Sequence, residues 1–530
     1  MPAAFPLVRN LAGLKSGRFD LLVIGGGIYG AWTAYDAALR GLKVALVEKN
    51  DWGCGTSQSS SKLIHGGLRY LEHYEFKLVR HALAERRVLS EIAPHLVRPL
   101  NFRVPVWAHS RVGRLQLLAG LTLYDFLATG KQPVPRYKSF GRAQMLADHP
   151  YLAAEGLKGG LRYGDCQEDD ARMTMVVVAA AQAAGAVCAN GVAAEALLEQ
   201  GGRIRGARLL DGDSGEHFDL EAGVTVNAAG PWAAALSAGA LGAEAPKVKL
   251  VKGIHLVLPA IAGLDDAFLL TAPQDGRVFF VIPWQGRTLV GTTESAIADP
   301  AQAQVTEAES RYLLDAVNAL LPGLGWREDD VLGAFAGART LQAEEAESLS
   351  AQTREFLVSQ PRPGLIWPIG GKYTTGRCDA AEIVDHVLQM LGRPHRESLS
   401  HRYPLPGAPG GLHEDSARHS VLLGDFTGWQ AEAMSALRAR GLDADIARSL
   451  SLRHGTRVAR IHALLEEQAA WSARLLPDAP FIAAEVILAV RDEGARTLED
   501  VVRRRLPLRL IARPGDWLER VRALIAEAGH

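Results

Sequence analysis

The segment Phe19-Asp20-Leu21-Leu22-Val23-Ile24-Gly25-Gly26-Gly27-Ile28-Tyr29-Gly30 decides the fold of this 530-residue chain. Its first half is apolar and branched, the composition of a strand buried on both faces, and glycines follow at once. Over residues 28–40 small or apolar side chains recur at helical spacing (Ala31, Ala34, Tyr35, Ala38), and Gly41 is a natural stop. A second apolar run, 43–47, ends at Glu48. Strand, glycine turn, helix, strand and acid, in about 30 residues, make a βαβ unit. The turn reads G-x-G-x-x-G. Gly25 permits the tight bend, Gly27 removes a Cβ so that backbone can approach a pyrophosphate, and Gly30 lets helix and strand pack closely. The phosphates then meet free N–H groups at the positive end of the helix. Glu48 stands where it can accept from a ribose 2′-hydroxyl, which favours a dinucleotide without a 2′-phosphate.

Composition bounds what surrounds this unit. A hydrophobic content of 48% and a charged content of 22% are those of a globular protein, and the length implies two or three domains. Lys and Arg number 58 against 59 Asp and Glu, a net charge of -1, which disfavours a nucleic-acid partner. Cys54, Cys166, Cys188 and Cys378 are scattered without a C-x-x-C pair, so neither a disulfide framework nor a metal site is expected. No secretory pattern opens the chain. The most apolar stretches, 115–128 and 175–189, are interrupted by Asp125 and Gln182 and fall short of the roughly 18 to 20 residues that cross a bilayer. The expectation is a cytoplasmic protein, peripheral at most on the cytoplasmic membrane.

Further along, helices are expected over 173–185 and 379–391, a strand over 223–227, and a hairpin of 279–283 and 288–291 turning at Gln285-Gly286. Past the Pro/Gly-rich stretch 404–411, strand signals give way to Ala-, Leu-, Arg- and Glu-rich helices.

The stretch from Cys54 to Phe76 carries small hydroxyls (Thr56, Ser57, Ser61), then Lys62-Leu63-Ile64-His65-Gly66-Gly67-Leu68-Arg69-Tyr70-Leu71-Glu72. Such a loop suits a chain lying along a flavin's ribityl and pyrophosphate; a Ser/Gly-rich surface loop is the other reading of the same residues. The stretch closely resembles the FAD-dependent glycerol-3-phosphate dehydrogenases. Further matches occur in order: Asp165-Cys166-Gln167-Glu168-Asp169-Asp170-Ala171-Arg172, Asn227-Ala228-Ala229-Gly230-Pro231-Trp232, Lys252-Gly253 with His255, residues 280–284 and 291–293, Gly370-Gly371-Lys372-Tyr373-Thr374-Thr375, and 493–500 with Arg503-Arg504-Arg505. The resemblance covers residues 19–510. It departs in three places. Gly337-Ala338-Arg339-Thr340-Leu341 stands for the family's G-V-R-P-L, Glu294 replaces an Asp after Gly291-Thr292-Thr293, and Tyr29 and Trp32 are bulkier than the family's residues.

The resemblance implies an α/β fold: an FAD-binding Rossmann-like domain, an interleaved mixed-sheet substrate (cap) domain and a C-terminal all-α domain. The FAD domain would take 1–80, completed by 145–255 and 335–400; the cap 81–145 and 245–335; the helices 405–530. It implies FAD contacts from Gly25, Gly27, Gly30, Glu48, Lys49, Thr56, Ser57, Ser61, Lys62, Leu63, His65, Gly66, Gly67, Val192, Ala229, Gly230, Trp232, Gly337, Gly371, Lys372 and Thr374. The reaction implied is oxidation of sn-glycerol 3-phosphate to dihydroxyacetone phosphate. It needs the C–H held over the flavin, the hydroxyl proton taken up and the phosphate anchored, with the redox step supplied by the flavin. Arginine forks and lysine suit a phosphate dianion, which points to Arg69 and Lys372 with the hydroxyls of Tyr70 and Thr375. Arg339 is expected at the phosphate or beside the developing negative charge. His65, of ordinary pKa near 6.5, is read either as a general base or as a flavin contact, and His255 as a strand histidine satisfied in the core.

The resemblance is to the quinone-linked branch of the family, which implies that the flavin passes its electrons to a membrane quinone, with oxygen as the alternative acceptor. Residues 98–142 hold eight Lys/Arg and one acid, Asp125, among Phe102, Trp107, Leu115, Leu121 and Phe126. That mixture suits a headgroup-level element as well as a solvated basic face over an ordinary core helix, and the resemblance to the quinone-linked branch favours the first, with the protein peripheral on the cytoplasmic membrane. A homodimer is left open. Because of the altered Arg339 loop, an oxidase or dehydrogenase of another small hydroxy acid or amine stands as an alternative; a flavin-retaining homologue without turnover is a third reading, against which the retention of Arg69, His65, Arg339 and Lys372 together argues.

Overall fold

The computed structural model describes residues 5–343, 355–412 and 421–529. Phe19–Ile24 is a central strand of an eight-stranded sheet, between the parallel neighbours Val44–Glu48 and His217–Asn227. Val187–Asn190 extends the sheet beyond one neighbour and Leu365–Ile369 beyond the other, both in parallel. Alternate residues of the first strand enter two separate cores. Leu21 and Val23 pack against helices Ile28–Leu39, Asp170–Ala183 and Gly376–Met390. Leu22 and Ile24 pack against strands Val192–Gln200 and Arg203–Asp211 and helix Ala233–Leu241. A parallel strand covered on both faces is why the run is apolar without alternation.

The elements expected later in the chain are present but longer than their apolar cores. The helix expected over 173–185 begins at Asp170, because the Asp169 carboxylate accepts from the Arg172 amide and caps it. The strand expected over 223–227 starts at His217, where its polar half pairs with Arg203–Asp211. The hairpin of Val278–Trp284 and Arg287–Gly291 turns on two residues, with Gln285 at φ 51° and Gly286 at φ 71°, the left-handed pair of a type I′ turn.

A second, ten-stranded mixed sheet includes Arg98–Trp107, Leu157–Gln167, Val248–Leu258 and Gly333–Gln342, and the short strand Leu63–Ile64 joins its edge. Helix Glu307–Leu320 packs on one of its faces. The other face shares a core with the C-terminal helices, among them Ala444–His454, Val458–Glu467 and Ala483–Arg491. Residues 98–142 are therefore not one surface element. Phe102, Val104, Val106 and Trp107 are core residues of a strand, while helix Arg114–Leu127 lies outside it, held by Leu121 and Tyr124.

That helix turns Leu115 and Phe126 outward, 83% and 81% exposed. Tyr74 and Phe76 are exposed on the neighbouring turn, whose Glu72 pairs with Arg111 at 2.7 Å. Among the described residues no helix is long and apolar enough to cross a membrane.

The C-terminal region is fastened to the first sheet by buried charge. The turn Asp500–Arg505 brings Arg504 and Arg505 onto the single carboxylate of Asp51, just beyond the second strand, and Arg503 onto the Gln58 carbonyl at 3.2 Å. Nearby, Glu493 accepts from Arg172 at 2.9 Å and Arg457 at 2.7 Å.

Candidate active site

The parallel strands end at one edge of the first sheet, and the chain leaves them at Gly25, Glu48, Ala228 and Gly370. All four line a cavity of about 700 Å³ between the two sheets, in the range of cofactor sites and in the usual ligand position for an α/β sheet.

The glycine turn shapes the floor. Gly25 has φ +108°, and a Cβ there would lie 2.5 Å from the Ala228 carbonyl oxygen. A Cβ on Gly30 would meet the Gly25 carbonyl oxygen at 1.8 Å, so Gly30 is required for packing and does not line the cavity. Gly27 caps helix Ile28–Leu39 without a side-chain hydrogen bond, and the helix has no acid in its first turn. A short bare wall meets a helix N-terminus, the arrangement that accepts a pyrophosphate. Ser57 Oγ accepts from the Ile28 amide at 2.9 Å and ties the 56–61 loop to this turn.

Glu48 is buried, which pushes its carboxyl up; its two oxygens accept from the Gly26 amide at 2.7 Å and the Asn50 amide at 2.9 Å. It remains on the cavity wall with Lys49, whose ammonium lies 4.7 Å from the Trp232 ring. Val192, Ala229 and Gly230 line the same cavity, as do Thr56, Ser61, Leu63, Gly337, Gly371 and Thr374.

Another part of the wall collects basic and hydroxyl groups from three segments: His65 and Tyr70, Arg339, and Lys372. The Lys372 ammonium sits 3.5 Å from the Tyr70 ring centroid. Arg339 reaches Glu294 at 3.6 Å, and Glu294 also holds Arg277 at 3.0 Å, so the arginine of one altered segment meets the replaced acid of another. The His65 amide donates to Thr374 Oγ1 at 3.2 Å, and its ring stands edge-on to Phe280. His255 is buried, bonded to Ser61 Oγ at 2.9 Å and stacked on Phe335. Burial, with the charges of Lys62 and Arg339, pushes it well below its ordinary pKa and leaves it neutral.

Other expected site residues lie behind the wall. Lys62 is buried with its ammonium 2.7 Å from both oxygens of Asp170. The Gly66 amide donates to Tyr124 Oη at 2.9 Å, and Gly67, at φ +77°, packs on the Tyr70 ring. Thr375 donates to Asp379 at 2.7 Å. Arg69 falls in the turn Leu68–His73, but its side chain lies outside the described residues. The cavity also takes Tyr29, Cys54, Ser59, Ser60, Glu195 and Tyr373, which sequence reasoning did not assign to it. Cys54, Ser59, Ser60 and Tyr373 lie inside segments that the sequence did mark, Tyr29 showed only as bulk inside a glycine turn, and Glu195 left no signal.

The donors fit FAD. There is a bare glycine wall for a pyrophosphate, an acid at the end of the second strand with a Lys–Trp pair beside it, and a volume within the range of cofactor sites. Residues 20–376 match the family model of FAD-dependent oxidoreductases, and 398–529 match that of the C-terminal domain of alpha-glycerophosphate oxidase. Glycerol-3-phosphate dehydrogenase 2 of Mycobacterium bovis is 37% identical over 508 residues, 94% of this chain and 83% of that one. Glycerol-3-phosphate dehydrogenase of Synechocystis is 34% identical over 523 residues, 95% and 91% of the two chains. The glycerol-3-phosphate dehydrogenase of Bacillus halodurans, solved with FAD, superposes with a TM-score of 0.78 at 29% identity, covering 100% of this chain and 94% of that one. Two family models that divide the chain where its C-terminal helices begin, and full-length relatives on the same plan, agree with the cavity: the chain belongs to the FAD-dependent glycerol-3-phosphate dehydrogenase family.

Proposed function

We propose that this protein oxidises sn-glycerol 3-phosphate to dihydroxyacetone phosphate and passes the electrons to a membrane quinone. The observation that carries this reading is the convergence of Arg339, Lys372, Tyr70 and His65 on one wall of the FAD cavity. FAD at this site supplies a two-electron acceptor for the C–H bond. The chain supplies the rest. Lys372, a compact charge steadied by the Tyr70 ring, anchors the phosphate, with Arg69 in the same turn as Tyr70 as its partner. Arg339, oriented by Glu294, faces the negative charge that grows on the substrate oxygen as its proton leaves. His65 takes that proton on its imidazole.

Anaerobic mixing with sn-glycerol 3-phosphate is expected to bleach the visible band of the oxidised flavin, while glycerol and lactate leave it intact. Dithionite bleaching without substrate bleaching would overturn the substrate assignment and favour another small hydroxy acid or amine.

The outward Leu115, Phe126, Tyr74 and Phe76, with Arg111 and Arg114 beside them, support attachment to the cytoplasmic membrane surface. Leu115→Ser with Phe126→Ser is expected to weaken co-sedimentation with anionic phospholipid vesicles at least about tenfold, by loss of buried apolar area. Activity with a water-soluble acceptor is expected to be unchanged. Unaltered vesicle binding would remove this surface from the reading, and rapid turnover with oxygen but not with a quinone would make the protein an oxidase.

A further inference from the structure

Tyr29 stands in the first turn of the glycine-turn helix, Ile28–Leu39, and its hydroxyl crosses to the loop that carries Lys372. It lies 2.5 Å from Asp379 Oδ2 and 3.3 Å from the Lys372 carbonyl oxygen. The Thr375 hydroxyl donates to the same Asp379 oxygen at 2.7 Å. Gly371, at φ +77°, leaves no room for anything else: a Cβ there would lie 1.8 Å from the Tyr29 hydroxyl. The Tyr29 ring is fixed from its other side by stacking on Phe356, with centroids 5.6 Å apart. One carboxylate oxygen thus receives a hydroxyl from the nucleotide helix and a hydroxyl from the substrate loop. Asp379 itself is not among the residues that line the cavity.

We propose that Tyr29 and Asp379 are a positioning pair for residues 370–375, through which the charge of a carboxylate behind the cavity wall controls how firmly Lys372 holds the substrate phosphate. This rests on reading Lys372 as the phosphate anchor. Tyr29 is one of the residues in which this chain departs from the family pattern, so the pair belongs to this chain's own way of holding the loop.

The groups facing Asp379 are the Tyr29 hydroxyl from the nucleotide helix, the Thr375 hydroxyl, the Cys378 thiol 3.7 Å from its other oxygen, and Glu85 from helix Phe76–Ile92, itself paired with Arg377. Burial pushes the Asp379 carboxyl up to about 7, helped by the negative charge of Glu85 and opposed by the hydroxyls of Tyr29 and Thr375. Ionised, it accepts two charge-assisted hydrogen bonds; protonated, it offers only neutral, weaker ones. A carboxyl whose pKa is higher folded than unfolded binds its proton more tightly in the native state. Stability therefore falls as pH rises from the ordinary carboxylate range toward 7, and the ionised group is retained at a cost to the fold.

Dihydroxyacetone phosphate, which cannot reduce the flavin, is titrated into oxidised holoenzyme by calorimetry between about pH 5.5 and about pH 8.5, and FAD into apoprotein in parallel. The phosphate titrates in the same interval, so the difference between wild type and variant is what is read. Asp379→Asn holds the pair in its neutral form. It is expected to bind about tenfold more weakly than wild type at the upper pH, the worth of charge-assisted bonds, and to converge with it at the lower. Tyr29→Phe is expected to bind more weakly at the upper pH and to move the midpoint of the pH dependence upward, while both variants take up FAD. Asp379→Asn should also melt at a higher temperature than wild type at the upper pH. Variants that follow wild type within about twofold throughout, or an Asp379→Asn that melts lower there, overturn the pair. A wild type that binds no dihydroxyacetone phosphate overturns the reading of Lys372 first, and the pair with it.

Discussion

Asp51→Ala is expected to destabilise the protein by about 3 to 5 kcal/mol and to shed FAD from the fraction that remains folded. The carboxylate is buried in the loop that follows Glu48 and is the common partner of Arg504 and Arg505, both buried themselves. Arg505 keeps a second acceptor, the Glu493 carbonyl at 2.7 Å, and Arg504 keeps Asp500, but neither replaces the lost charge. Two guanidinium groups would be left facing each other across an emptied site. Burial pushes the Asp51 carboxyl up, yet Arg505 and Arg504 outweigh it and hold the group below the ordinary carboxylate range. A depressed carboxyl contributes stability above its unfolded pKa and loses it as pH falls through the native one, so the difference between wild type and variant should close only in acid. Urea midpoints and flavin retained through gel filtration measure the two effects. A variant within about 1 kcal/mol of wild type would show the clamp to be dispensable.

Arg339→Ala is expected to slow anaerobic flavin reduction at saturating substrate by about 10²- to 10³-fold, the loss of one donor aimed at developing negative charge. Arg339→Lys should recover little, because the planar fork that meets Glu294 and the cavity together is lost. Glu294→Gln should fall between, since Arg277 then loses its charged partner and Arg339 its orientation. Stopped-flow bleaching with full FAD occupancy isolates the step. An Arg339→Ala rate within about threefold of wild type would remove the arginine from the chemistry and revive the alternatives that its altered loop left standing.

Legibility in the sequence followed locality. Gly25, Gly27, Glu48 and the two strands around them belong to one short segment whose order is its own evidence; the structure pairs the strands in parallel and sets the three residues on the cavity wall. Arg339, Lys372 and His65 were legible only through motifs, yet they meet on one wall. What stayed hidden depends on partners far along the chain. Lys62 reads as a cofactor contact until Asp170, 108 positions away, is seen to take its charge. Gly66 and Gly67 lie in the flavin loop but serve Tyr124 and the turn that holds Tyr70. Residues 98–142 have one composition and two destinations, because burial of Phe102 is decided by strand Leu157–Gln167 rather than by its own neighbours. Tyr29 looked like an irregularity in a glycine turn, and only the position of Asp379 gives it a purpose.

The arginine clamp on Asp51 also sets the order in which the finished molecule can be made. Asp51 and Arg504 are separated by 453 positions, so the ribosome exposes the nucleotide-binding loop long before it exposes what fastens that loop. At about 5 to 20 residues per second, the nascent N-terminal unit waits roughly 20 to 90 s for its fastening. Through that interval Asp51 is a buried-to-be charge still in water, and the strand before the glycine turn itself waits for His217–Asn227, its second parallel neighbour. Closure of the clamp is accordingly an event of chain completion, and translation that stops short of residue 504 yields a chain in which Asp51 has neither arginine.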